Sequence, residues 1–186
     1  MTDVSATTGN RVVCYCADCQ AFAHFLGRTD VLDAVGGTSI FQVAPSQVRI
    51  LEGSEQIRCV RLSDRGLYRW YTDCCRTPIG NMIGPRFPFI GVVEAIVDAD
   101  GPSRQALLGA PRGYVFGKYA IGGCPPHAHP KVSLAMVPRV ARLLLGWWVG
   151  RKAHPSAFFE ARTGEPVRAP RVLTRAERAA VTPAAG

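Results

Sequence analysis

Lysine is missing from the first 110 residues, where ten arginines face eleven aspartates and glutamates for a net charge of −1. The overall charge of +8 therefore arises in residues 111–186, where twelve lysines and arginines meet three glutamates. A near-neutral body with a basic final third implies either an anionic neighbour for that third or a solvated basic face. Long apolar runs are also missing. The nearest approach, "LAMVPRVARLLLGWWVG" at 134–150, is interrupted by Arg139 and Arg142, which excludes a spanning helix. The opening "MTDVSATTGN" has no basic segment followed by an apolar run, so no signal peptide is expected. No Gly-x-Ser-x-Gly motif supports a serine hydrolase, and "GYVFGKY" at 113–119 lacks the spacing and hydroxyl of a phosphate loop. No recognition motif accompanies the basic residues, so nucleic acid is not an expected partner. Internal repeats are absent. An even, dispersed cysteine set is lacking too: there are seven, grouped as a C-x-C and an adjacent pair. That is a poor disulfide framework and suits a reducing, cytoplasmic setting.

What is present is a dense thiol cluster, "VVCYCADCQAF" at 12–22. Residues 11–16 read as a short strand, on which Cys14 and Cys16 point the same way. Cys19 then opens a helix, where free backbone N–H groups and the helix dipole favour a thiolate. The spacing predicts a three-thiolate claw holding one Zn²⁺ per chain. Buried free thiols, or a C-x-x-C redox pair that leaves the third cysteine unexplained, are the alternatives. Cys74 and Cys75 end a later strand, and adjacent strand residues face opposite ways, so at most one of them is expected on the same ion. Cys59 reads as core. Cys124, His127 and His129 form a C-x-x-H-x-H in a proline-rich loop, a second and weaker metal pattern. His24 follows the claw on the early helix, as a pocket lining or a surface residue.

The coarse layout is mainly β. Ala21, Phe22, Phe25 and Leu26 share helical spacing, with Gly27 as the stop. Residues 36–53 read as two short strands around a proline turn. Residues 56–75 read as a hairpin turning at Ser63-Asp64-Arg65-Gly66, with Gly66 suited to a positive φ. Residues 87–98 read as another strand or strand pair. After Asp100-Gly101-Pro102 the composition changes, "GGCPPHAHP" (122–130) is a loop, and a basic helix is expected from about Ser133 to Lys152. Met136, Val137, Val140, Leu143, Leu144, Trp147 and Trp148 share its apolar stripe, with Arg139 and Arg142 off it and Pro138 tolerable in its first turns. The tail reads as extended, with one short helix near "TRAERAAV" and a frayed end. The organisation is a β body over 1–102 and a basic, partly helical C-terminal extension over 103–186. That helix, 133–152, either packs on the body or offers a contact for a membrane surface or protein partner.

"CYCADCQ", a helix, strands, and then "RWYTDCCRTPIGN" resemble the glutathione-dependent formaldehyde-activating enzyme family, the domain shared with centromere protein V. The likeness runs over about residues 12–100 and is nearest to an uncharacterised bacterial branch with an adjacent cysteine pair and a C-terminal extension. Cys14, Cys16, Cys19 and Gln20 match that family's C-x-C-x-x-C-[Arg/Gln] motif. Tyr71, Cys75 and Thr77 match part of its later aromatic–C-x-x-C-G-T motif. Thr72 stands where the first cysteine of that pair belongs, and Arg76 replaces the glycine. The family's early C-x-C-G strand has no counterpart, so an N-terminal strand is missing and the closed structural zinc site of the family is not expected. Either Cys74 or Cys75 then completes the claw's ion, or the lost strand belongs to the protein.

The resemblance implies a tent-like fold of small twisted antiparallel sheets. It also implies a zinc-dependent carbon–sulfur lyase activity on a small thiol adduct of the glutathione type. Arg69 and Arg76 would offer positive charge to a carboxylate-bearing thiol. Three thiolates over-neutralise Zn²⁺, which favours capture of a soft ligand over activation of water. The competing class is a non-catalytic, zinc-stabilised binding module whose fourth ligand is a further cysteine.

Overall fold

Side chains alternate across a strand, so a run such as Tyr68-Arg69-Trp70-Tyr71-Thr72 must satisfy two different environments. It does so here: Trp70 enters one apolar core, while Arg69 and Tyr71 face a helix on the other side of the sheet. The computed structural model of the protein describes residues 5–97 and 101–183. Residues 1–4, 98–100 and 184–186, on which some of the expectations above fall, among them the boundary residue Asp100, lie outside the described residues.

The chain forms β1 (Asn10–Cys14), α1 (Ala17–Leu26), β2 (Thr38–Val43), β3 (Ile57–Arg61), β4 (Tyr68–Thr72), β5 (Pro78–Met82) and β6 (Ile90–Val93). After these come α2 (Gly101–Leu108), β7 (Tyr114–Val115), α3 (Val137–Val149), β8 (Arg171–Val172) and α4 (Arg175–Val181). The eight strands make one mixed sheet in the order β7-β1-β2-β6-β5-β4-β3-β8. Its six inner strands pair antiparallel, and the two edges, β7 on β1 and β8 on β3, are parallel. The mainly β class with an early helix and C-terminal helices is thus what the protein has. The strands join into one sheet rather than several small ones.

One face carries the larger core, with Phe41, Trp70, Met82, Ile90 and Val92 fully buried. Phe158 and Phe159 close it, their rings 5.0 and 5.7 Å from that of Trp70. The C-terminal third is therefore an extension in sequence only, since it supplies both sheet edges and part of the core. On the opposite face α1 packs Ala21, Phe22 and Leu26 against Val60, Leu62 and Tyr71. Gly27 ends it in the left-handed region at φ 66°, and its N–H and that of Arg28 return to the carbonyls of His24 and Ala23.

Several local expectations need correction. Gly66 does not take a positive φ; its N–H closes the hairpin turn on the Ser63 carbonyl at 2.9 Å. Residues 48–53 form no strand after the short 3-10 turn Pro45–Gln47. The basic helix begins at Val137 and ends at Val149, and Pro138 indeed sits in its first turn. Its inward stripe is Met136, Val140, Leu143, Leu144 and Trp147, whereas Val137 and Trp148 are exposed. Arg139 turns inward instead, donating from Nη2 to the carbonyls of Ala6 (3.1 Å) and Gly9 (2.9 Å). Two good acceptors make burying a guanidinium stem tolerable.

Candidate metal centre

β1 delivers Cys14 at its last position, and the chain turns into α1 with Cys16 as the N-cap residue. The first helical turn then brings Cys19 back, its N–H bonded to the Cys16 carbonyl at 3.0 Å. The three Sγ atoms all lie within 4.8 Å of one another, and among the described residues they are the group of cysteine, histidine and acidic side chains that could hold a metal ion. Thiolates on one tetrahedral zinc, bonded at about 2.3 Å, stand roughly 3.8 Å apart, so the trio is already near that spread. Gln20 fixes the turn. Buried to 1% exposure, it donates from Nε2 to the carbonyls of Tyr15 (2.7 Å) and Tyr119 (2.8 Å).

The sulfurs are coupled electrically. Hydrogen bonds from Cys14 and Cys19, helped by the charge of Arg69, pull the Cys16 thiol far below the usual range. Cys14 moves upward, because its proton is held in the bond to Cys16 and the group is buried. Cys16 is thus the thiol of the three that ionises most readily, and a divalent cation would let all three ionise.

A cavity of about 610 Å³ opens beside the cluster. Its floor is a row of residues paired across four adjacent strands: Arg69 on β4, Asn81 on β5, Gly91 on β6 and Gln42 on β2. Gly91 keeps the floor low, since a Cβ there would come within 2.9 Å of Ile40 Cγ2. Val12, Ile40, Leu67, Phe89, Phe116, Met136 and Val140 make the walls mostly apolar. Phe116 is held at φ 59°, a left-handed conformation uncommon for a bulky residue, and it packs toward the cysteines.

Arg69 is 1% exposed and its guanidinium stands 5.5 Å from the Phe22 ring centroid. Nη1 donates to Asn81 Oδ1 at 2.9 Å and Nη2 to Asp18 Oδ2 at 3.4 Å, while Nε has no protein partner. Asp18 is also held by Arg178 of α4. A buried cation with one half-exposed carboxylate for company is under-compensated, and the nearest further negative charge is that of the thiolates.

Residues 3–169 match the model of a family of unknown function, DUF6151. The chain belongs to that family. No curated protein and no solved structure matches it. The DUF6151 match takes in the three cysteines, α3 and the paired phenylalanines, so the cavity falls inside the family unit.

Within this DUF6151 fold the other expected site residues scatter. Cys74 and Cys75 lie exposed in the β4–β5 turn, near the far end of α1, where Arg28 Nη1 reaches the Cys75 carbonyl at 3.5 Å. That end of α1 lies ten helical residues, about 15 Å at 1.5 Å each, beyond Cys16 and seven, about 10 Å, beyond Cys19, and neither Cys74 nor Cys75 joins the trio's group. Arg76 belongs to the same turn, with its guanidinium over the rings of Phe25 and Tyr71 rather than in the cavity. His24 is on the exposed side of α1 and lines nothing near the sulfurs. Cys59 is buried, as expected of core. Cys124, His127 and His129 do not converge: Cys124 Sγ contacts the Ala128 carbonyl, and His127 stacks edge-on against Tyr114. Asn81, Gln42, Phe116 and Arg178 escaped the sequence reading. Only the strand register, which places Asn81 opposite Arg69, would have exposed the first of them. No helix among the described residues is long and apolar enough to cross a membrane.

Proposed function

We propose that Cys14, Cys16 and Cys19 hold one Zn²⁺ and that the adjoining cavity receives a small thiol, or a thiol–carbonyl adduct, whose carbon–sulfur bond is made or broken there. The observation that carries this reading is a tight trio of sulfurs at the wall of a large, mostly apolar cavity, with no fourth histidine, cysteine or acid in the group among the described residues. Three thiolates leave tetrahedral zinc one ligand short, the condition of catalytic rather than structural sites. Bound there, the ion supplies Lewis acidity and a position suited to a soft sulfur ligand.

The protein's own residues divide the remaining work. Arg69 compensates the surplus negative charge of three thiolates and is already engaged by Asn81 and Asp18, so it is poorly placed to serve substrate carboxylates. As it is the one cation lining the cavity among the described residues, the body of the substrate is apolar rather than multiply charged as in glutathione. Gln42 and Asn81 supply the polar contacts of the floor, and Phe116 and Met136 exclude water. This reading keeps the thiol chemistry implied by the likeness to the formaldehyde-activating family while changing the expected substrate.

Metal analysis of purified protein should return close to one zinc per chain, lost in Cys16→Ser. With cobalt in its place, butanethiol should shift the sulfur-to-metal charge-transfer band. A metal-free preparation, or a four-sulfur spectrum indifferent to added thiol, would sink the proposal.

The second reading is a binding module, and it draws on the outer face of α3. Val137, Leu145, Trp148 and Val149 are exposed there, Trp148 to 68%, beside the exposed cations Arg142, Arg151 and Lys152. An apolar strip rimmed by basic charge suits an anionic membrane surface. Co-sedimentation with phosphatidylserine vesicles that weakens with salt would support it; no sedimentation at low salt would remove it.

A further inference from the structure

The exposed pair left out of the metal cluster has its own organisation. Cys74 Sγ and Cys75 Sγ are 3.6 Å apart at the tip of the β4–β5 turn. Cys75 Sγ lies 3.0 Å from Thr72 Oγ1 and 3.2 Å from Thr77 Oγ1, so both hydroxyls can donate to it. Their oxygens are meanwhile occupied as acceptors: Thr72 Oγ1 receives the Thr77 N–H at 3.1 Å, and Thr77 Oγ1 receives Arg28 Nη1 at 3.0 Å. With those oxygens accepting from nitrogen donors, each hydroxyl proton is free to turn toward the sulfur, a setting suited to a thiolate. Arg76, at φ 55°, holds the turn in a left-handed conformation that presents both cysteines to solvent. The charged groups around the turn are Arg28 with its partner Asp30, Arg58 paired with Asp73, and Arg76.

We propose that Cys74 and Cys75 form a thiol–disulfide exchange site that acts on small-molecule disulfides, with Cys75 as nucleophile and Cys74 as the resolving thiol. The Cys75 thiolate attacks one sulfur of the external disulfide, whose S–S bond breaks and releases the first thiolate. Cys74 loses its proton to solvent and attacks the Cys75 sulfur, expelling the second thiolate and closing a Cys74–Cys75 disulfide. Two electrons pass from the pair to the external disulfide. A bridge between adjacent residues in an exposed turn departs from the usual disulfide geometry, which makes it readily reduced and so reversible.

The two sulfurs are unequal in the required sense. Hydrogen bonds from the Thr72 and Thr77 side chains and from the Thr77 backbone lower the Cys75 thiol to about 7, whereas the Cys75 neighbour raises Cys74. A thiol with a pKa near the ambient pH is the best attacking group in exchange. At pH 7 it carries about 50-fold more thiolate than a thiol near 9, and its lower nucleophilicity takes back about tenfold, for a net gain of about fivefold.

The test uses the full-length, zinc-loaded protein and oxidised glutathione as probe. Trypsin releases residues 70–76 as "WYTDCCR", which contains only these two cysteines. After brief exposure this peptide should be lighter by two hydrogen atoms with no adduct retained, whereas Cys74→Ser should keep a glutathione adduct on Cys75. The rate should climb as pH rises through about 7 and level off above it, and Thr72→Val/Thr77→Val should lower it about fivefold at pH 7. Circular dichroism checks that these variants keep the wild-type fold. An adduct that persists on wild-type Cys75, labelling of Cys74 as fast as Cys75, or a rate untouched by removal of both hydroxyls would overturn the assignment. Loss of zinc from the Cys14–Cys16–Cys19 trio bears on none of these outcomes.

Discussion

At the scale of single residues, Arg69 shows how a site can be half visible. Its charge was legible in the sequence, as was the spacing of Cys14, Cys16 and Cys19, because both depend only on local chain geometry. Its role was not. Whether an arginine greets a ligand or offsets buried thiolates depends on what lies across the sheet, and Asn81 comes opposite Arg69 only through the β4–β5 register. Arg69→Met fills similar volume but leaves Asn81 Oδ1 without its donor, so the apo fold should lose about 1–3 kcal/mol in urea denaturation. Zinc affinity should fall about 10- to 100-fold, the usual cost of removing a partner from beyond the metal's own ligands. Chelator competition measures it; unchanged affinity would return Arg69 to the substrate. The adjacent cysteines carry the opposite lesson. Their proximity to each other was plain in the sequence, and their distance from the trio was not, because α1 intervenes.

At the scale of elements, α1 was legible almost to the residue, since its apolar spacing, its start at the claw and its stop at Gly27 all agree. A Cβ on Gly27 would meet nothing within 4 Å, so Gly27→Ala isolates the backbone cost of the left-handed turn. The expected loss is about 1 kcal/mol in urea denaturation, with metal content unchanged. By contrast, α3 has apolar residues on two faces, one built from Val140, Leu143 and Trp147 and one from Val137, Leu145 and Trp148. Periodicity alone does not say which of the two turns inward. The edge strands β7 and β8, two residues each, are too short to leave any pattern, and β5 was hidden because proline and glycine weaken its reading as a strand.

At the scale of the whole molecule, the body inferred for 1–102 leans on residues far beyond it. Trp70 is fully buried because Phe158 and Phe159 cover it, and a composition shift near residue 102 gave no hint of that contact. Phe158→Ala should therefore cost about 3–5 kcal/mol in equilibrium unfolding, as a central aromatic does, rather than the few tenths expected of a dispensable tail. The same interdependence reaches the sulfurs. Asp18, next to the cluster, is held by Arg178, 160 positions later in the chain. During synthesis Cys14, Cys16 and Cys19 emerge together, within six positions. The pocket beside them must wait for the lining that runs from Val115 to Val140, and the electrostatic clamp on Asp18 for Arg178. A nascent chain stalled before Val115 would thus expose three naked thiols to whatever metal or oxidant the cell supplies.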